Sequence, residues 1–394
     1  MKALKEKTIC LITPNKDTFS NPTLLELFRQ FGKYNYEVIL MAPPQSVPLS
    51  PEFKHVTIQS IPFPSAQIPK RPRSLILFLL SYWKAWNTIR EHKINRIFAV
   101  DPIGIIVAGR IVRFLRNYQL TYVSFEIFFQ DEIQPRHLKL LKKKEVKYLR
   151  YAKNVIIQDE KRKDLFIKEN KTSPNELKFF LVPVAPKKQK IPRSLPSCSF
   201  ENKITLIHSG TVHYWSGISI LIETLKLGIP KNFHFFIHSR YPLNKQNPIH
   251  AELENLQMQG YPLTLHDEPF SDYSEYCNFL SKFDIGLAFY QPDFKSIYTG
   301  KNIETIGLAS GKFSTYMMLG IPTITTNQHT FNHLNQAFNF GWNIDNARSF
   351  SELLKTIKKS NLKDLKKNCK VLYESELEPE SRISFFLRSE MPPI

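Results

Sequence analysis

Ser310-Gly311-Lys312-Phe313-Ser314-Thr315-Tyr316-Met317-Met318-Leu319-Gly320-Ile321-Pro322-Thr323-Ile324 is the stretch of this 394-residue chain that says most about its fold. A Ser-Gly turn opens a helix whose apolar face is Phe313, Tyr316, Met317 and Gly320, at spacing i, i+3, i+4, i+7. Gly320 stops that helix, and Pro322 leads into a strand. The helix start offers free N–H groups, the Ser310 hydroxyl and the Lys312 ammonium, which together suit an anion such as a diphosphate. A P-loop is excluded: Gly307 to Lys312 has one spacer too few, and Phe313 stands where Ser or Thr is required. The plain alternative for Lys312 is a solvated lysine at a helix start.

Outward from this segment, short apolar runs alternate with helical patterns. Upstream of it, residues 204–208, 234–238, 264–266 and 285–289 read as strands, with a helix over 218–227 and a further strand at 323–325. The first half shows the same rhythm. Strand-like runs fall at 8–13, 36–41, 96–100, 121–125 and 154–158, with helical spacing over 22–31, 103–114 and around 138–151. Runs rich in Ile, Val and Leu suit buried parallel strands. Between the halves, residues 182–197 bring Pro183, Pro186, Pro192 and Pro196, a density that no helix or central strand tolerates.

The expected fold class is therefore α/β, with two Rossmann-like domains facing each other across a cleft at their strand carboxyl ends. The expected boundaries are 1–185, a linker over 186–202, 203–374, and a C-terminal helix over 375–394 that returns to the first domain.

The pattern S-G-K-x-x-x-Y-x-x-x-G-x-P-x-I over 310–324, preceded by Phe283-Asp284-Ile285-Gly286-Leu287-Ala288-Phe289-Tyr290, resembles the donor domain of family 4 glycosyltransferases, which have the GT-B fold. Ile204-Thr205-Leu206-Ile207-His208-Ser209-Gly210 looks like the strand and glycine turn that open that domain. Residues 154–162 and Phe180-Leu181-Val182-Pro183 resemble the last elements of the acceptor domain. The resemblance implies a nucleotide-sugar donor, a glycan or lipid-linked acceptor and no other cofactor. It departs from the family at two places. The family's paired glutamates would fall on Gly307 and Thr315, and the basic residue after the glycine turn would fall near Ser216.

Glycosyl transfer needs a stabilised diphosphate leaving group and removal of the acceptor proton. The resemblance implies that Lys312, with Ser310, Gly311, Gly210 and Thr211, serves the diphosphate, with Arg240 as a second cation and Thr315 in the same segment. Phe270, after a strand, is the candidate to flank the nucleobase, against the alternative of a core phenylalanine. On the acceptor side Glu126 stands where related enzymes often carry a histidine; it is the candidate base or sugar contact, against a capping or salt-bridged glutamate. Asp101, before Pro102, reads as a helix cap. No D-x-D and no ligand-spaced His, Cys or carboxylate cluster occurs, so no metal is implied.

Charge is uneven. Residues 1–190 carry 34 Lys and Arg against 16 Asp and Glu, a net +18 of the chain's +19. Such a half attracts anionic lipid, an acidic or phosphorylated acceptor, or nucleic acid. Arg71 and Arg73 before the apolar run 75–86, and Lys142, Lys143, Lys144 and Lys147 within a later helix, form the expected acceptor or membrane patch. No zinc-finger or RNP-type motif points to specific nucleic acid binding. The start of the chain lacks a signal-peptide pattern, and the four scattered cysteines suit a reducing compartment. The cytoplasm, with a peripheral position on the inner membrane face, is the expected location. Two other readings stay open: an epimerase or phosphorylase of the same fold, and an inactive or non-enzymatic anion-binding relative.

Overall fold

In the computed structural model, residues 7–63, 72–173, 175–189, 203–270 and 272–391 are described, with side chains in the helix that opens at Pro72 described from Ile76 onward. Arg71 and most of the expected linker, residues 190–202, lie outside them, as does the side chain of Arg73. The chain forms two compact units, Met1–Val184 with Pro379–Ile394, and Ala185–Glu378.

The first unit holds a parallel sheet of β1 (Thr8–Ile12), β2 (Glu37–Ala42), β3 (Val56–Ser60), β4 (Arg96–Val100), β5 (Gln119–Val123), β6 (Asn154–Ile157) and β7 (Lys178–Leu181), in the order β3-β2-β1-β4-β5-β6-β7. The second holds β8 (Ile204–Gly210), β9 (Phe233–Ser239), β10 (Leu263–His266), β11 (Ile285–Ala288), β12 (Thr323–Thr326) and β13 (Gly341–Ile344), in the order β10-β9-β8-β11-β12-β13. All ladders are parallel. In each sheet the strand order reverses beside the first strand, between β1 and β4 and between β8 and β11. That switch point is where open α/β sheets leave a crevice at their carboxyl edge.

The central strands are buried along nearly their whole length because helices cover both faces of the sheet. All seven residues of β9 are buried, as are all four of β11. The edge strands β3 and β13, which the hydrophobic runs did not predict, are half polar: Val56-Thr57-Ile58-Gln59-Ser60 and Gly341-Trp342-Asn343-Ile344. An edge strand has one neighbour and less cover, so it needs no continuous apolar run.

Local signals fix the helix ends. Asn21 caps the Pro22–Lys33 helix by accepting from the amides of Thr23 and Leu24. Gly320 ends the Gly311–Leu319 helix in the left-handed conformation, φ 70°, where a side chain would be strained. The helix Pro379–Glu390 inserts Ile383, Phe386 and Leu387, all fully buried, into the core of the first unit beside Phe98 and Phe180. Phe386 meets those two rings edge-on at 5.9 and 4.8 Å. Burying a side chain of this size contributes roughly 2 kcal/mol, so this helix is part of the fold of the first unit.

Candidate functional site

In the second unit the chemistry gathers at the carboxyl end of β8, at the switch point. β8 runs straight into Gly210, whose φ of 134° is open to glycine, and a Cβ built there meets nothing within 4 Å. The turn is therefore glycine for its backbone and borders open space. Arg240, just past β9, donates its amide to the Gly210 carbonyl at 3.2 Å and leaves its guanidinium exposed at the same edge.

The Gly311–Leu319 helix begins beside this turn. Its Tyr316, expected as one of the apolar contacts, is a polar clamp. The buried hydroxyl donates to the Ile207 carbonyl at 3.0 Å and accepts the Ser209 amide at 3.1 Å. Gly286 on β11 is glycine because a Cβ would lie 2.5 Å from the Tyr316 ring. Ser209 completes the brace, with its hydroxyl 2.7 Å from His238 Nδ1 and 2.9 Å from the Tyr276 hydroxyl.

Two of the expected donor-binding residues, Ser310 and Thr315, turn inward instead. Ser310 is buried, and its hydroxyl accepts the Phe313 amide as the helix cap while bonding the Tyr290 hydroxyl. It is committed inside the protein. Thr315 is also buried, donating to the Gly311 carbonyl at 2.8 Å and meeting the Tyr273 hydroxyl at 3.1 Å. The amides of Gly311 and Lys312 are the ones left uncapped at the helix start.

Lys312 is no freely solvated lysine. It is partly buried, its ammonium lies 5.1 Å from the centre of the Tyr290 ring, and among the described residues no carboxylate pairs with it. Desolvation pushes its pKa down to about 7. His208, which hydrophobic patterning passed over as the end of a strand, is fully buried, and beyond a weak contact with the Thr211 backbone its ring nitrogens meet no hydrogen-bond partner among the described residues. Burial first, and then the Lys312 charge, holds its pKa well below the ordinary value. A neutral imidazole so poorly satisfied beside an unpaired ammonium is costly to keep in an empty site.

Phe270 is half-buried rather than a sealed core residue. Its ring stacks on His266 at 5.5 Å and 10°, beside His238, Tyr276 and Phe279.

In the first unit a second cluster sits at the carboxyl ends of β4 and β5. Asp101, expected as a helix cap, caps nothing: it lies at φ 57°, and its Oδ1 accepts the amides of Phe125 and Glu126 at 2.8 and 3.1 Å. The carboxylate so pins the segment that carries Glu126. Arg162, 1% exposed, is fixed by Nε donating to Gln158 Oε1 at 2.7 Å and Nη2 to the Phe125 carbonyl at 2.6 Å. Burial pushes Asp101 up to about 7 and Glu126 up to about 8, and the Arg162 charge opposes both shifts. Burial thus favours the protonated form of the Glu126 carboxyl.

The expected lysine patch is divided. Lys142 is 3% exposed and donates to Glu145 Oε2 at 3.0 Å and Asn170 Oδ1 at 2.8 Å, so it belongs to the interior. Lys144 lies 5.7 Å from the Phe78 ring, and Lys147 lies 5.7 Å from that of Tyr148. Lys143 is exposed and lines, together with Lys142, a pocket of the first unit. One face of the Pro72–Glu91 helix is buried through Phe78, Ala85 and Ile89, while Ile76, Leu79, Leu80 and Trp83 stay 41–58% exposed at spacing i, i+3, i+4, i+7.

No family model matches the chain, and no curated protein matches it. Solved structures do. HepE from Anabaena in complex with UDP-glucose shares 12% identity at a TM-score of 0.68, covering 97% of this chain and 99% of that one. Sucrose-phosphate synthase from Thermosynechococcus elongatus shares 13% identity at 0.70, covering 98% of each chain. WaaG, described as a glycosyltransferase involved in lipopolysaccharide biosynthesis, shares 13% at 0.64, covering 98% and 99%. At such identities the likeness establishes the fold alone, the GT-B fold with its two α/β units.

Proposed function

We propose that the chain is a glycosyltransferase that moves a sugar from a nucleotide-sugar to a glycan or lipid-linked acceptor in surface polysaccharide or glycolipid assembly. One observation carries the reading. At the switch point of the second sheet, the uncapped amides of Gly311 and Lys312, the unpaired Lys312 ammonium, the open turn at Gly210 and the poorly satisfied, buried His208 converge. That set suits a diphosphate whose charge grows as the glycosidic bond breaks. In this reading the amides and Lys312 neutralise the leaving group, and His208 donates one hydrogen bond. Arg240 and the Phe270–His266 stack serve the nucleotide end. Glu126 takes the acceptor proton, held in place by Asp101. The scheme calls for no metal.

Titration of UDP, GDP, ADP and CMP into the protein tests this. One nucleoside diphosphate is expected to bind well above the other nucleotides. Binding of none removes the donor site and leaves an inactive relative as the better account.

A peripheral membrane position forms part of the proposal. Among the described residues no helix is long and apolar enough to cross a bilayer. Ile76, Leu79, Leu80 and Trp83 instead form an exposed apolar stripe, and cations lie over the rings beside it: Arg110 on Tyr82 at 4.9 Å, Arg113 on Phe114 at 4.2 Å and Arg90 on Trp86 at 5.5 Å. An apolar stripe with a basic border suits an anionic lipid surface. Co-sedimentation with phosphatidylglycerol vesicles is expected to fall about tenfold or more in Leu79→Ser/Trp83→Ser, since each buried apolar side chain contributes roughly 1.5–3 kcal/mol. Unchanged sedimentation of the variant rules out this surface.

A further inference from the structure

The first unit contains a pocket of about 450 Å³ that the donor and acceptor chemistry does not use. It is lined by Lys139, Lys142, Lys143 and Lys171 with Gln130, Ile133 and Val146. Four of its seven lining residues are thus lysines. Lys142 forms a rigid part of the wall. Its ammonium has three protons; Glu145 and Asn170 take two, and Glu145 is held in turn by the Tyr122 hydroxyl at 2.9 Å. One N–H of a nearly inaccessible ammonium remains without a protein acceptor.

The other three lysines are exposed and, among the described residues, have no carboxylate within ion-pair distance. The nearby acids do not cancel them. Glu169 accepts the Gln130 amide at 2.9 Å, and neither it nor Asp131 nor Glu132 lines the pocket. Three unpaired cations facing one concavity repel each other and attract a multiply charged anion.

The residues that line this pocket are distinct from those of the Glu126 cluster. The helix Glu160–Asn170 starts at the carboxyl end of β6, and Lys171 follows its far end. Eleven residues of helix span roughly 16 Å. Gln130 reaches the same far end by bonding Glu169 through both its amides. The pocket shares no lining residue with the Asp101, Glu126 and Arg162 cluster, although Glu145, which holds Lys142, still acts electrostatically on Asp101.

We infer that this pocket is a second anion site, which takes a phosphate ester. Lys139, Lys143 and Lys171 supply the charge, and Lys142 supplies a fixed donor that orients the phosphate. The inference stands independently of the donor reading, because it uses neither Lys312 nor the second unit.

The probe is inorganic pyrophosphate, titrated calorimetrically into the full chain carrying Lys312→Ala so that the donor site is silenced. This protein is expected to bind pyrophosphate, and adding Lys139→Ala/Lys143→Ala/Lys171→Ala is expected to weaken binding by about tenfold or more, the scale of losing charged hydrogen bonds. A control, Lys358→Ala/Lys359→Ala/Lys363→Ala, removes equal charge from exposed positions of the second unit and is expected to change nothing. No binding to the Lys312→Ala protein overturns the inference, as does equal loss in the control. Phosphatidylglycerol vesicles then tell the source of the phosphate. Loss of vesicle binding along with pyrophosphate binding identifies a lipid headgroup, and intact vesicle binding identifies a soluble phosphorylated ligand.

Discussion

Lys312→Ala is expected to weaken nucleoside diphosphate binding by about a hundredfold, because it deletes a charge-assisted contact made in a partly desolvated site. The substitution leaves the fold alone: Phe313, Tyr316 and Met317 hold the helix in the core, while Lys312 makes no ion pair. The effect carries a pH signature. In the empty site the Lys312 amine loses its proton near pH 7, since burial disfavours the charged form. A diphosphate favours the ammonium, so above pH 7 binding must draw a proton from solution. Affinity should hold below pH 7 and fall as pH rises, by up to about tenfold per unit. Calorimetry in buffers of different ionisation enthalpy reads the proton uptake directly. In Lys312→Ala both the uptake and the slope vanish. Affinity that ignores pH in the wild-type protein would show that Lys312 does not meet the phosphates.

Glu126→Gln is expected to lower kcat by about a hundredfold to ten-thousandfold, the range for a positioned general base, with nucleotide affinity unchanged. Burial places the Glu126 carboxyl near 8, so the fraction in the proton-accepting form grows as pH rises through that value. The rate should rise over the same range, and that limb should be absent from the variant. Lys312 pulls the other way, being charged below about 7. Together the two groups predict a narrow bell-shaped profile for kcat/KM, whose two limbs disappear separately in the two variants. A Glu126→Gln enzyme with normal kcat would assign this carboxyl to the structure alone, as a partner of Arg162.

Much of this was readable in the residues, for a physical reason. A parallel strand covered on both faces is buried along its length, so β1, β2 and β4 announce themselves as apolar runs, and β8 and β9 as Ile-, Leu- and Phe-rich runs with Thr, His and Ser among them. A helix that ends in a left-handed residue needs a glycine, so Gly320 marks its own position. What stayed hidden depends on partners distant in the chain. Ser310 is spent because Tyr290, 20 residues earlier, reaches its hydroxyl. Lys142 is interior because Asn170, 28 residues later, supplies an acceptor. Asp101 before Pro102 has the composition of a cap, and nothing local reveals that its backbone turns left-handed to face two amides beyond β5. His208 differs again. A lone histidine near the end of a strand has no spacing signature, and only its deep burial with poorly satisfied ring nitrogens marks it.

The helix Pro379–Glu390 also sets an order of events during synthesis. The first unit leaves the ribosome early, yet its core between Phe98 and Phe180 stays open until Phe386 and Leu387 are made, after all of the second unit. The nascent first unit must therefore wait with apolar surface uncovered while some two hundred residues are translated behind it, roughly 10–40 s at ordinary elongation rates. The unit made second can finish folding first. This chain thus has a built-in interval of vulnerability to aggregation, closed only when residues 379–391 dock.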